Sequence, residues 1–413
     1  VIATEVTSKP EDSLRILWTV PYLPWPTTSG GKLRQFNLLR AMAARGHRIT
    51  LLVQSKEPLC DGSRVKLEAM VERLILSPRR PLLHPLNLLA AAFAPYPLLA
   101  SVNGLAPVLA KRFRTLLEEP WDVIQIEHSY SMQPFLSTLR QQAHPFLLTE
   151  HNLESSIGTA TYQRLPKCFS PFVRFDQWRY QRWERQVFRA AERVAAVTEE
   201  DAARMRKVRQ REIDVVINGV DSHSFSHVTP RVEDRRILFV GNYEYPPNQD
   251  AVQWAIDEVL PLIWQEEPAA RFVICGHAMP ATWPRRWKDP RLEWRGFVEN
   301  LTDVQATSAL FLAPLREGGG SKLKVLEAMA SGLPLVSTHQ GVSGLSVCHG
   351  GEFIGGCDAL ELARGVLTLF HDPAQARRIG EAGRRYVQTK HDWSIAADQL
   401  ESLYRKLCHA HRD

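Results

Sequence analysis

Six cysteines are scattered over 413 residues, and none stands in a CxxC pair or at a zinc-ligand spacing. Cys60, Cys168, Cys275, Cys348, Cys357 and Cys408 lie far apart, which argues against a disulfide framework and a structural zinc site and predicts reduced thiols in a cytoplasmic protein. A DxD acid pair is missing as well. No metal-ligand cluster is visible along the chain, so neither a metal nor a resident cofactor is expected. No GxGxxG opens a strand-helix-strand unit, which counts against an NAD-dependent oxidoreductase. Long apolar runs are absent too. Residues 81–110 carry no acid and no Lys or Arg, but Pro81, Pro85, Pro95, Pro97 and Pro107 interrupt them. The proline-free piece Leu86 to Ala94 is far too short to span a bilayer. The opening, Val1 to Pro10, lacks an apolar core, so it is expected to be a disordered lead-in rather than a secretory leader. Charge of one sign is not dominant either, since 51 basic residues accompany 45 acidic ones for a net +6. This mixture gives no reason to expect nucleic-acid binding, although a pI near 9.0 favours phosphorylated ligands or acidic membrane surfaces.

The length suits two domains of roughly 200 residues. Apolar runs of buried-strand type alternate with helical patterns. Strands are expected at Arg15 to Val20, His47 to Val53, Asp122 to Ile126, Pro145 to Thr149 and Arg193 to Val197. The helix from Lys32 to Arg45 between the first two makes a right-handed βαβ unit of a parallel sheet, and Gly46 stops it. Turn residues and mixed charge then replace periodicity at Asn218-Gly-Val-Asp221 and on to Arg236. Beyond this break the alternation restarts with Ile237 to Val240, a helix from Asn248 to Gln265, then Arg271 to Cys275 and Leu292 to Gly296. The expected fold class is therefore α/β with two doubly wound parallel sheets. Expected boundaries are 13–214, 215–392 and an amphipathic terminal segment, 393–410, crossing back to the first domain.

The densest chemistry lies between Arg316 and Pro334. The apolar run Ala309 to Leu315 precedes Gly318-Gly319-Gly320-Ser321-Lys322-Leu323-Lys324, and a short helix then leads to Leu335 to Thr338. Glycines let a backbone approach a ligand, and the unpaired amides at a helix start attract phosphate. Ser321 is expected to cap the helix. Lys322 and Lys324 add formal positive charge, while Glu327 sits at the edge of the apolar stripe Leu323, Leu326 and Ala330. A flexible loop beside a solvated Lys324–Glu327 pair is the plainer alternative.

In an open parallel sheet, ligands sit beyond the carboxyl ends of the strands. Those positions hold Gly30 and Gly31, then Glu127-His128, then Glu150-His151-Asn152. Two acid-histidine pairs at successive strand ends suit orienting a hydroxyl or serving as a base, though either histidine can be a plain turn residue. Phe172 to Phe188 interleaves aromatics and arginines at helical spacing. Stacking on bases and lying in a membrane interface are open, but a helix packing Phe175, Trp178, the Arg182 stem and Trp183 on the sheet is the favoured reading.

Taken together, Ser29-Gly30-Gly31, Val197-Thr-Glu-Glu-Asp201, Asn218-Gly-Val-Asp221, Gly296-Phe297-Val298 and Lys324-Val-Leu-Glu327-Ala-Met-Ala-Ser-Gly-Leu-Pro334 resemble the retaining nucleotide-sugar glycosyltransferases of the GT-B fold, family 4. The resemblance spans nearly the whole chain. The glycine-rich form of the loop, with Val240-Gly-Asn-Tyr-Glu-Tyr-Pro-Pro-Asn248, is similar to a branch acting in polysaccharide and exopolysaccharide assembly. The resemblance implies two Rossmann-like sheets facing an interdomain cleft, a nucleoside diphosphate sugar donor and a hydroxyl acceptor in a polysaccharide, glycolipid or small molecule. It implies that Glu327 binds the ribose, that Lys322 or Lys324 steadies the diphosphate, and that Phe297 and Val298 lie by the base. Gly241, Asn242, Glu317, Gly319, Gly320 and Ser321 complete the implied donor site. Glu127, His128 and His151 are the implied catalytic groups, and Gly30 and Gly31 line the cleft. Two positions depart from the family pattern. A second glutamate is usual eight residues before Glu327, where this chain has Gly319, and Glu317 stands two residues upstream of that. The usual Arg and Lys after the first strand of the second domain are absent, with Asn242 and Asn248 nearby. A same-fold nucleotide-sugar epimerase and a binding protein without turnover are the alternatives. Residues 81–110 fit a helical hairpin or a membrane-proximal, lipid-linked acceptor, so peripheral contact at the inner membrane face stays open.

Overall fold

A computed structural model describes residues 13–81, 84–104, 106–153, 155, 170–318 and 322–409. Gly319, Gly320, Ser321, Cys168 and the Val1 to Pro10 lead-in lie outside them. The chain divides into two compact units, residues 1–217 with 397–413, and residues 218–396. The last helix, Trp393–His409, therefore begins in the second unit and ends in the first.

Seven strands build the first sheet: β1 (Arg15–Val20), β2 (Arg48–Ser55), β3 (Arg73–Pro78), β4 (Val123–Glu127), β5 (Leu147–Thr149), β6 (Arg193–Ala196) and β7 (Asp214–Val215). Their order is β3-β2-β1-β4-β5-β6-β7, and every pairing is parallel. The six central residues of β2 and all five of β4 are buried, as a strand covered by helices on both faces requires. The order reverses between β1 and β4, so the carboxyl ends of these neighbours open the crevice in which such sheets bind ligands.

The second unit repeats the plan with β8 (Arg236–Val240), β9 (Arg271–Cys275), β10 (Leu292–Gly296), β11 (Leu310–Ala313), β12 (Leu335–Ser337) and β13 (Ile354–Gly355). Its order, β10-β9-β8-β11-β12-β13, places the reversal between β8 and β11. The chain leaves this crevice after β11 towards Gly318.

Three features depart from expectation. Strands β3, β7 and β13 were not anticipated; they lie at or near sheet edges, and β7 and β13 have two residues each. The helix expected from Asn248 to Gln265 is Pro246–Trp254, a π-turn over Ala255–Val259, then Leu260–Glu266. Pro261 has no N–H to donate and crowds the carbonyl four residues earlier, which a wider turn relieves. The long aromatic helix, Ser170–Ala190, turns its apolar stripe differently. Trp183, Val187 and Phe188 are buried with Asp176, Arg179 and Glu184, whereas Phe175 and Trp178 are exposed. The phase is set by polar partners, since Asp176 accepts from the Leu98 amide at 3.0 Å and Arg179 donates to the Ala94 carbonyl at 2.9 Å. Among the described residues of 81–110 are two packed helices, Pro85–Phe93 and Leu98–Gly104, and the start of a third at Pro107. Among the described residues no helix is long and apolar enough to cross a membrane.

One contact fixes the mouth of the second crevice. Gly276 has φ +139°, and a Cβ there would come within 1.7 Å of the Gly241 carbonyl oxygen. Gly276→Ala should therefore lower unfolding stability by more than about 2 kcal/mol in a denaturant titration. A loss within 0.5 kcal/mol or so would contradict this packing.

Candidate functional site

The second unit places two lysines at the start of a helix. Lys322 occupies the N-cap position of Leu323–Ala330, and its carbonyl accepts from the Val325 and Leu326 amides at 2.8 and 3.1 Å. Ser321, expected at this cap, lies outside the described residues; the N-cap position falls one residue later, and the Lys322 side chain makes no capping hydrogen bond. Among the described residues no side chain caps this turn, and first-turn amides of a helix suit an anionic ligand. Gly318, at φ +114°, turns the chain so that its carbonyl accepts from Lys322 Nζ at 2.7 Å and from Gln340 Nε2 at 2.5 Å.

Lys324 points the other way, into the sheet. Its Nζ donates to Asn248 Oδ1 and lies 4.8 Å from the centre of the Phe239 ring. Asn248 in turn donates to the Asn242 carbonyl at 2.7 Å, which ties the loop after β8 to the helix after β11. Burial beside Lys322 lowers the Lys324 amine to about 7, and Glu327 opposes the shift. Glu327, half-buried three residues on, is raised to about 7 by burial, with Lys324 pulling it back. The plain surface pair is thereby replaced by two groups whose charges depend on what binds beside them.

The remaining expected donor residues divide. Gly241 and Asn242 lie in this network: the Gly241 amide donates to the Cys275 carbonyl at 3.1 Å, and the Asn242 carbonyl accepts from Asn248 and, at 3.3 Å, from the Tyr245 amide. Phe297 is exposed after β10 and meets His277 edge-on with ring centres 6.4 Å apart; Val298 beside it is half-buried. Neither makes a described contact with the lysines. Glu317 is exposed, next to an Arg316–Asp250 ion pair. Asn248 and Gln340 were not among the expected site residues. Asn248 stood near the place where the family pattern has its Arg and Lys, and that was its signal.

In the first unit the ends of β4 and β5 bring Glu127, His128 and His151 together. Glu127 is 1% exposed. Its Oε1 accepts from Trp18 Nε1 at 3.0 Å and Gln125 Nε2 at 2.6 Å, and its Oε2 lies 3.1 Å from His151 Nε2. His128, at φ 66°, stacks on Tyr130 at 4.8 Å and meets the Tyr22 hydroxyl through Nε2 at 3.1 Å. Its ring centre is 4.2 Å from that of His151. Gly31 belongs here because a Cβ on it would come 2.5 Å from the Tyr22 hydroxyl and 3.4 Å from His151 Nδ1. Gly30 opens the same helix, Gly30–Ala44, and is exposed.

Sequence reading missed the groups that hold this cluster. Arg34, buried on the helix after Gly31, donates to the Val216 and Ile217 carbonyls at 2.7 Å each and sets a positive charge near Glu127. Burial nevertheless raises the Glu127 carboxyl, with His128 and Arg34 opposing. Burial, with like charge, holds both imidazoles well below their ordinary value, so they are neutral at pH 7. Glu150 accepts from the Ser129 amide at 2.5 Å and faces His128 Nδ1 at 4.0 Å. The available sign was weak: Arg34 shares the buried face of its helix with Leu38 and Met42, but also with Gln35 and Asn37.

Ligand atoms of Glu127, His128 and His151 all lie within 4.8 Å of one another, a cluster that spacing along the chain did not reveal. They fit an ion poorly. Glu127 Oε1 already has two donors, its Oε2 is paired with His151, and the buried Arg34 opposes a second cation.

Two family descriptions fall on these units. "Glycosyl transferase 4-like domain" matches residues 29–219, and "Glycosyl transferases group 1" matches residues 234–372. The chain belongs to the group 1 glycosyltransferases. This glycosyltransferase is 21% identical over 382 residues to an uncharacterized 44.6 kDa protein in the cps region of Klebsiella pneumoniae, covering 89% of this chain and 94% of that one. It is 29% identical to glycogen synthase of Mycobacterium tuberculosis over 206 residues, 47% of this chain and 48% of that protein. Its fold is similar to that of sucrose-phosphate synthase from Thermosynechococcus elongatus (TM-score 0.69, 18% identity, 96% and 100% coverage). An Anabaena protein solved with UDP and glucose is similarly related (TM-score 0.66, 15% identity, 94% and 99% coverage). The two sheets of the glycosyltransferase are thus those of a GT-B fold.

Burial of Lys324 has a direct readout. In a lysine-methylated sample of the glycosyltransferase, the Lys324 resonance should titrate with a midpoint of about 7 by NMR. A midpoint at the ordinary lysine value, about 10.4, would contradict its placement.

Proposed function

We propose that the chain moves a hexosyl group from a nucleoside diphosphate sugar to an acceptor hydroxyl with retention of anomeric configuration and without a metal ion. The observation that carries this reading is the pair Lys322 and Lys324 at a helix start, in the crevice of the second sheet, with Glu327 on the same helix. That the similar Anabaena protein was solved with UDP supports the nucleoside diphosphate.

In this reading the helix amides and Lys322 bind the diphosphate, and Glu327 accepts hydroxyl groups of the ribose. Charge grows on the diphosphate as the glycosidic C–O bond breaks, and fixed donors stabilise it more in the transition state than in the bound donor. Lys324 strengthens the effect. Its amine, held to about 7 by burial, takes up a proton when a dianionic group binds beside it, so the charge appears where it is needed. The leaving phosphate oxygen accepts the acceptor proton. In the first unit His151 donates Nε2–H to Glu127 and keeps a lone pair on Nδ1, which suits orienting a hydroxyl of the reacting sugar or acceptor. We assign the acceptor to polysaccharide or glycolipid assembly, which the likeness to a protein of a cps region supports.

The two units should respond differently to substitution. Glu327→Ala should weaken UDP or GDP binding about tenfold or more in calorimetry. His151→Ala should leave that affinity within a factor of about three and lower kcat by about 100-fold. Turnover should survive chelation by EDTA. Unchanged affinity in a folded Glu327→Ala protein would remove the ribose role, and loss of activity on chelation would remove the metal-free mechanism.

A further inference from the structure

The Ser170–Ala190 helix has an outer face that the site above does not use. Arg174, Phe175, Trp178, Arg182, Arg185 and Arg189 are exposed along it. Both of its acids are turned inward, Asp176 onto Arg179 at 2.5 Å and Glu184 onto the Ser155 amide at 3.0 Å. Among the described residues none of the four exposed arginines has a carboxylate partner. The helix Glu199–Arg209 differs: its Arg204 and Arg206 pair with Glu200 and Glu199 at 2.5 Å each. The aromatics lie among the arginines, with Phe175 and Trp178 stacked at 5.9 Å and Arg182 5.9 Å from the Trp178 ring. Arg140 joins Trp178, Arg182, Arg185 and Arg189 around an open groove.

An uncharged helix borders this face. On Pro85–Phe93, Leu86, Leu89 and Phe93 are the exposed large residues among the described side chains, at i, i+3 and i+7, hence on one side of the helix. Phe93 is 84% exposed. The next residue, Ala94, accepts from Arg179, whose guanidinium lies 4.7 Å from the Phe175 ring. Exposed leucines and phenylalanine beside unpaired arginines suit the boundary between acyl chains and anionic headgroups. A nucleic acid would engage the arginines but leave the leucines in water.

We infer that this face of the first unit docks on an anionic lipid bilayer, with the arginines at the headgroups and Phe93 and Leu89 in the acyl boundary. The inference does not depend on glycosyl transfer.

Co-sedimentation of the full chain with vesicles tests it. Binding is expected to phosphatidylcholine vesicles containing phosphatidylglycerol, with little to phosphatidylcholine alone and release on adding salt. The combined Arg182→Gln, Arg185→Gln and Arg189→Gln substitutions, all at exposed positions, should lower partitioning about tenfold or more. Phe93→Ser should lower it without changing the salt dependence, and circular dichroism checks that each variant is folded. Equal partitioning onto both vesicle types, an unaffected triple variant, or binding to a single-stranded RNA oligonucleotide without vesicle binding would each overturn the proposal.

Discussion

Glu127 is a carboxylate at the end of a central parallel strand with almost no access to water, and the first unit is organised around compensating it. Trp18 from β1 and Gln125 from β4 donate to one oxygen, His151 from beyond β5 meets the other, and Arg34 supplies the nearest fixed positive charge. The terminal helix enters the same network, since the Tyr404 hydroxyl donates to Gln125 Oε1. Removing a single partner would leave a buried polar group unsatisfied, typically a cost of about 1–3 kcal/mol. The same compensation holds His151 in one orientation, so a requirement of folding also preorganises the candidate catalytic group.

The second unit solves a related problem with the sign reversed. Lys324 is turned onto the Phe239 ring and Asn248, and its charge is opposed by burial and by Lys322. The carboxyl of Glu327, held to about 7, cannot fully neutralise it. A bound diphosphate would supply the missing negative charge. The helix start, the Gly318 turn and the Gly241–Gly276 contact all converge on the crevice between β8 and β11 where that anion would sit.

Much of this arrangement was legible in the residues. Central strands such as β1, β9 and β11 are apolar runs with turn residues after them, and both sheets and the glycine loop followed from that alternation. Short strands such as β7 and β13 carry too few residues to show a period. The long aromatic helix was given the wrong phase because hydrophobicity alone put Phe175 and Trp178 inward, whereas distant backbone groups at Ala94, Leu98 and Ser155 select Arg179, Asp176 and Glu184. Glu127, His128 and His151 were legible as strand-end residues. Arg34, Gln125 and Tyr404 were not, because their roles exist only through partners far away in sequence.

The central claim is that the lysine-bearing helix start serves breakage of a donor glycosidic bond. Its most direct test is incubation of the whole chain with a panel of nucleoside diphosphate sugars and no acceptor, followed by NMR of the products. Slow release of free sugar from one donor, first formed with the donor's own anomeric configuration, is the predicted result. Tight binding of every donor without release, or a C2-epimerised sugar as the product, would contradict it.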